Sequence, residues 1–170
     1  MPRSGHRSPH ALEPGAETPA PSGEAHLRIG GLEIRVEGRE FPQADDYWDG
    51  NWVVAAVHCA SPHSSVAFRG PILHLSEVAH LLEGCEAVAE GEAGSATLPC
   101  SEPHLYVELE ARPRGRVRAT VELRPQGERH VYEFPLDRDA VGRIAAECRA
   151  LLTAFPILGE PPTESAEDIN

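Results

Sequence analysis

Residues 45–52 read Asp45-Asp46-Tyr47-Trp48-Asp49-Gly50-Asn51-Trp52 and hold both tryptophans of the chain and one of its three tyrosines. Large aromatic rings anchor protein-recognition hot spots, and neighbouring carboxylates select a partner of opposite charge. The same side chains also suit a structural use. Trp48 and Trp52 can plug the end of a sheet, Asp45 or Asp46 can cap a loop, and Gly50 can take a positive φ. Both uses stand open at this point, and Asp45, Asp46, Tyr47, Trp48, Asp49, Asn51 and Trp52 are the candidate partner-binding residues.

Other chemistries are weaker. Asp45, Asp49 and Asn51 offer oxygen ligands, but a calcium loop needs about six to eight oxygens at defined spacing, and that pattern is absent. His58, Cys59 and His63 suggest zinc, with Cys85 or Cys100 completing the site. His58 and Cys59 are neighbours on a strand, however, and point to opposite faces. His74 and His80 straddle a helix start with no third ligand in view. Arg114, Arg116 and Arg118 form a stripe suited to phosphate, yet Glu108 and Glu110 on the adjacent strand explain it more simply by cross-strand ion pairs. The chain contains no G-x-S-x-G, H-E-x-x-H or P-loop motif, so no catalytic residue, metal or cofactor is assigned.

The elements that must position these residues follow from apolar spacing. Leu27, Ile29, Leu32, Ile34 and Val36 alternate around Gly30-Gly31 and predict two short strands joined by a tight turn. A polar, aromatic loop spans Phe41 to Asn51. Trp52 to Ala60 reads as a well-buried strand, and Ser65 to Leu75, with Gly70-Pro71, as an edge strand or a bulge. Ser76 is the expected N-cap of a helix whose apolar face is Val78, Leu81, Leu82, Cys85 and Val88, with Gly91 and Gly94 ending it. Four further strands follow: Ala96 to Cys100, one carrying Leu105, Val107 and Leu109, one carrying Val117 to Leu123, and one carrying Tyr132, Phe134 and Leu136. A second helix starts near Asp137, presents Val141, Ile144, Cys148 and Leu151, and stops at Pro156. The order β-β-β-β-α-β-β-β-β-α predicts an α+β fold, an antiparallel sheet or sandwich of seven to eight strands with two packed helices.

Residues 1–25, rich in proline and poor in apolar side chains, are expected to form a disordered tail, as is the acidic segment 159–170, leaving 26–158 as one domain. No apolar run is long enough to span a bilayer, and no signal peptide is visible, so a cytoplasmic protein without a membrane is expected. The four cysteines are widely spaced and are expected to be free thiols. A net charge of −12 argues against nucleic acid. Between Glu40 and Ala111 there are twelve acidic residues against one arginine, whereas Arg112 to Arg149 holds nine arginines against six acids. Glu77, Glu83, Glu86, Glu90 and Glu92 form a solvated face or, with Asp45, Asp46 and Asp49, a negative surface that steers a basic partner.

The stretch from Leu27 to Leu158 resembles the WapI-type bacterial immunity proteins. The resemblance rests on Ile34-x-Val36, then Phe41-Pro42-x-Ala44-x-Asp46-Tyr47-Trp48-Asp49-Gly50-Asn51-Trp52, and on the closing Leu151-Leu152-x-x-Phe155-Pro156. Val53 stands where leucine is expected. The resemblance implies a non-catalytic, cytosolic antidote that binds and neutralises the toxic domain of a contact-dependent toxin, a nuclease in the founding case. An acidic inhibitor covering a phosphate-binding surface agrees with that role. Two other classes are an enzyme or small-ligand binder, for carbohydrate for example, with the tryptophan loop as its wall, and a housekeeping interaction domain.

Overall fold

The computed structural model describes residues 13–14 and 26–163. Its first sheet contains β1 (Glu13–Pro14), β2 (Leu27–Ile29), β3 (Leu32–Arg39), β4 (Trp52–Ser61) and β5 (Ser64–His74), antiparallel in the order β1-β5-β4-β3-β2. The alternation of Leu27, Ile29, Leu32, Ile34 and Val36 puts all five on one buried face. β4, the apolar run, takes a central place between β3 and β5, as its hydrophobicity demands. The register of β4 against β5 shifts between Val53 and Ala55, opposite the Gly70-Pro71 step. The expected tail 1–25 lies outside the described residues except for β1, whose Glu13 and Pro14 pair with Arg69 and Phe68.

The loop after β3, expected to be irregular along its whole length, holds one turn of helix, α1 (Tyr47–Gly50). α2 (Leu75–Ala89) follows β5 directly. Its N-cap is His74, two residues earlier than the expected Ser76, because the buried imidazole Nδ1 accepts the orphan N–H of Ser76 at 3.3 Å. At the other end Gly91, at φ +77°, lets Gly91 N donate to Val88 O and Glu92 N to Ala87 O, the paired bonds of a Schellman close.

The second sheet repeats the plan: β6 (Ser95–Leu98), β7 (Leu105–Arg112), β8 (Arg116–Leu123) and β9 (His130–Asp137), in the order β6-β7-β8-β9. α3 (Arg138–Ala154) then starts at Asp137, whose carboxylate accepts Ala140 N at 2.7 Å, and stops before Pro156. The chain is thus an α+β fold of two meander-plus-helix units, in the element order read from the sequence.

One core joins both units. The apolar faces of α2 and α3 pack on each other, α2 along β6 and α3 against β2. Gly84 permits the first approach, since a Cβ there would lie 2.8 Å from Ala96 Cβ. At the second, Arg28 N donates to Glu147 Oε2 at 2.9 Å. Each sheet therefore has one edge strand covered by a helix, which blocks edge-to-edge association. Phe134 and Tyr132, stacked with centroids 6.1 Å apart, close the seam between sheets. The Phe134 ring lies over Gly30 and Gly31, and Tyr132 Oη is 2.9 Å from Ser64 Oγ. The four cysteines are free, and burial pushes the thiols of Cys59, Cys85 and Cys148 up to about 12, so they act as small core hydrophobes.

Candidate functional site

The acidic-aromatic motif divides into residues that face solvent and residues that hold them in place. Asp46, in extended backbone, caps α1: its Oδ1 accepts Trp48 N at 2.9 Å and Asp49 N at 2.8 Å. Gly50 is buried where a Cβ would meet Ala44 O at 3.1 Å and Leu158 Cδ1 at 3.3 Å. Asn51 has no exposed surface, and its amide is fully engaged. Nδ2 donates to Tyr47 O at 2.7 Å and Leu158 O at 2.8 Å, and Oδ1 accepts Leu158 N at 2.8 Å. Arg39 adds a second tie, donating from Nη1 to Gly50 O and from Nη2 to Pro156 O. The segment after α3 is thereby strapped against α1.

His74, 2 % exposed, sits under this turn. Because Nδ1 accepts from Ser76 N, the hydrogen belongs on Nε2, which donates to Tyr47 O at 3.2 Å and Trp48 O at 3.3 Å. Three rings surround the imidazole, with centroids at 5.4 Å for Tyr47, 6.0 Å for Trp48 and 5.1 Å for Trp52. Sequence reasoning missed Arg39, His74 and Leu158: His74 and Leu158 act on the motif from distant parts of the chain, and Arg39, at the end of β3, has no spacing that marks its reach to Gly50 O.

What faces out is apolar and acidic. Trp48 is 59 % exposed, and Phe41 and Ile157, on the two segments tied together by Arg39 and Asn51, are also exposed. Asp45 and Asp49 are exposed and make no ion pair among the described residues, whereas Asp46 is occupied with its cap. Tyr47 and Trp52 are half-buried, and Asn51 lies beneath the surface rather than on it.

Residues 26–156 match the immunity protein WapI-like family. The chain belongs to that family. No curated protein matches it. Among solved structures, one described as crystal structures of Trypanosoma bruciei MRP1/MRP2 is 14 % identical, with 74 % of this chain and 76 % of that chain covered and a TM-score of 0.42.

Elsewhere in this WapI-like chain, the remaining candidates resolve by position. Cys59 is buried while His58, its strand neighbour, is half-exposed, and no group of three metal-ligating side chains forms among the described residues. No described helix is long and apolar enough to cross a membrane. The arginine stripe is neutralised only in part. Arg118 pairs with Glu110 at 3.0 Å, but Glu108 stands opposite Thr120 and bonds Tyr106, so Arg116 has no glutamate across from it. Glu86, expected on a solvated face, pairs with Arg149 of α3 at 2.7 Å. Glu77 is buried at the third residue of α2, where Oε1 accepts Ser101 N at 3.2 Å and burial pushes its carboxyl up to about 7.

Proposed function

We propose that this member of the immunity protein WapI-like family neutralises a toxin domain in the cytoplasm by covering it with the surface built on α1. Trp48 is the anchor, Phe41 and Ile157 widen the apolar contact, and Asp45 and Asp49 select a basic partner. The observation that carries this reading is an indole 59 % exposed on a turn whose backbone is tied down by Asp46, Asn51 and His74. An exposed tryptophan is costly to leave in water, and holding it on an ordered turn lowers the entropy lost on binding. The uncommitted carboxylates beside it would speed association with a basic surface such as a nuclease presents to phosphate. In this reading Asn51, buried beneath α1, positions the surface, and Asp46, exposed but occupied by its hydrogen bonds to Trp48 N and Asp49 N, mainly orders the turn.

The test is co-purification of the tagged full-length protein from its own cells at low salt, followed by the same experiment with Trp48→Ala and with Asp45→Asn/Asp49→Asn. A stoichiometric partner with a basic toxin domain is expected, weakened at least tenfold by Trp48→Ala and made less salt-sensitive by the double charge change. Retention of that partner by Trp48→Ala at full strength places the contact elsewhere. No partner at any salt removes the immunity role itself.

A further inference from the structure

Beyond the α1 surface, the arginines of the second sheet line a cleft of about 1020 Å³ where β8, β9 and the start of α3 meet. Its cations are largely uncommitted. Arg112 and Arg118 share the single carboxylate of Glu110. Arg114 and Arg116 have no hydrogen-bond or ion-pair partner among the described residues, and Arg143 touches no carboxylate, only its charge reaching Glu147. Of the two acids in the lining, Asp137 is spent on the α3 cap, which leaves Glu133. The Nε of Arg118 is buried with no partner among the described residues, a donor left over in the wall.

The rest of the lining is apolar, with Val117, Phe134, Leu136 and Ala140 among it. Arginine forks over an apolar floor suit a ligand with oxyanions at one end and an uncharged body at the other. The volume is at the upper end of the range for small-molecule sites, roughly 300–1,000 Å³. Size also decides against a long polyanion. The chain carries −12 overall, which repels an extended nucleic acid, while a ligand inside the cleft is within about 8–10 Å of the arginines and feels them first.

Arg114 has a further peculiarity. It is the non-glycine residue at positive φ among those described, +64°, next to Gly115 at +71°. Glycine or asparagine takes that conformation at lower cost, so an arginine there is held against local preference.

We propose that this cleft binds a small organic polyanion carrying phosphate or carboxylate groups, held by Arg114, Arg116 and Arg143. The site is separate from the α1 surface: it opens at the first turn of α3, whereas the strap to α1 leaves its last turn, about 25 Å away along a 17-residue helix.

Calorimetric titration of the full-length protein with ADP, pyrophosphate and citrate tests it. Saturable binding of ADP tighter than pyrophosphate is expected if phosphate is the recognised group, and of citrate tighter than either if carboxylate is. Arg116→Gln and Arg143→Gln should each weaken the best ligand roughly tenfold or more. Arg114→Gly should weaken it as much while melting no lower than wild type, because the left-handed backbone is relieved, which separates lost contact from lost folding. No saturable binding by any of the three at millimolar concentration overturns the proposal, as does binding that both glutamine variants retain. If a single-stranded oligonucleotide binds, is lost in the same variants, and the small anions do not bind, the cleft is a nucleic-acid groove and the proposal fails.

Discussion

Asn51 and Leu158 meet through both edges of one amide, with Leu158 N donating to Oδ1 and Leu158 O accepting from Nδ2, each at 2.8 Å. This is the pattern of two paired strands, made by a single side chain. It fixes the segment after α3 without any secondary structure there. A third bond, to Tyr47 O, makes the same amide the floor of α1.

Asn51→Ala removes all three bonds and leaves the N–H and C=O of Leu158 unmatched, while Tyr47 O keeps its bond from His74 Nε2. At about 1 kcal/mol for each bond, plus desolvated partners, a loss of about 2–4 kcal/mol is expected in urea denaturation. Leu158 should also become a site of early proteolysis. Trp48→Ala, by contrast, should cost under about 1 kcal/mol, because most of the indole is already in water. If the two losses are equal, the motif does not divide into a supporting and a displayed half.

The strands were legible because a pleated strand shows its buried face every second residue: Leu105, Val107 and Leu109, and Val117, Ala119, Val121 and Leu123, are all buried as that period requires. The face of α3 was legible at helical period for the same reason. Asn51 was not, since a bond to a residue 107 positions away leaves no local rhythm. Register was the other blind spot. Alternation says which face Arg116 and Glu108 share but not that they are offset, and the observed pairing sets Arg116 opposite Arg112 and Asp137. His74 was missed because capping preference is a statement about serine, threonine and aspartate, while a buried imidazole meets the same orphan N–H from a β-strand end.

The Gly30-Gly31 turn carries the seam. A Cβ on Gly30 would run into the Phe134 ring and sit at φ +58°, and one on Gly31 would collide with the carbonyl of Ala60. Gly30→Ala should therefore cost about 2–4 kcal/mol, part clash and part left-handed strain. Truncating Phe134 to alanine in the same chain removes the Cγ and Cδ2 that the new Cβ would meet and should recover some of that cost, giving a favourable coupling in a double-mutant cycle. Gly31→Ala should be rescued far less by the same truncation, because its tightest obstacle is the backbone carbonyl of Ala60 and the tip of the Phe134 ring, at 2.9 Å, is the smaller one. Additive effects of Gly30→Ala and Phe134→Ala in thermal melts would separate the turn from the ring.

Glu77 gives the chain a pH response in a defined window. Burial is the main cause that raises its carboxyl to about 7 from an ordinary 4.5, against backbone bonds from Ser101 and His74 that act the other way. Between those two values the folded state keeps a proton that the unfolded chain has released, so stability must fall as pH climbs from about 4.5 to about 7. At 1.36 kcal/mol per unit the loss is about 3 kcal/mol. The Cys100 thiol beside it is pushed up by its own burial and by the charge on Glu77, so it stays neutral throughout and does not offset the effect. Glu77→Gln removes the proton equilibrium while keeping an oxygen for Ser101 N. Other groups titrate in the same range in both proteins, so the difference between them isolates Glu77. In urea denaturation the variant should match or trail wild type at pH 5 and exceed it by up to about 3 kcal/mol at pH 8. Parallel curves at the two pH values would mean that the carboxyl titrates near 4.5, with water reaching Oε2 and the loop between β6 and β7, residues 99–104, open in solution.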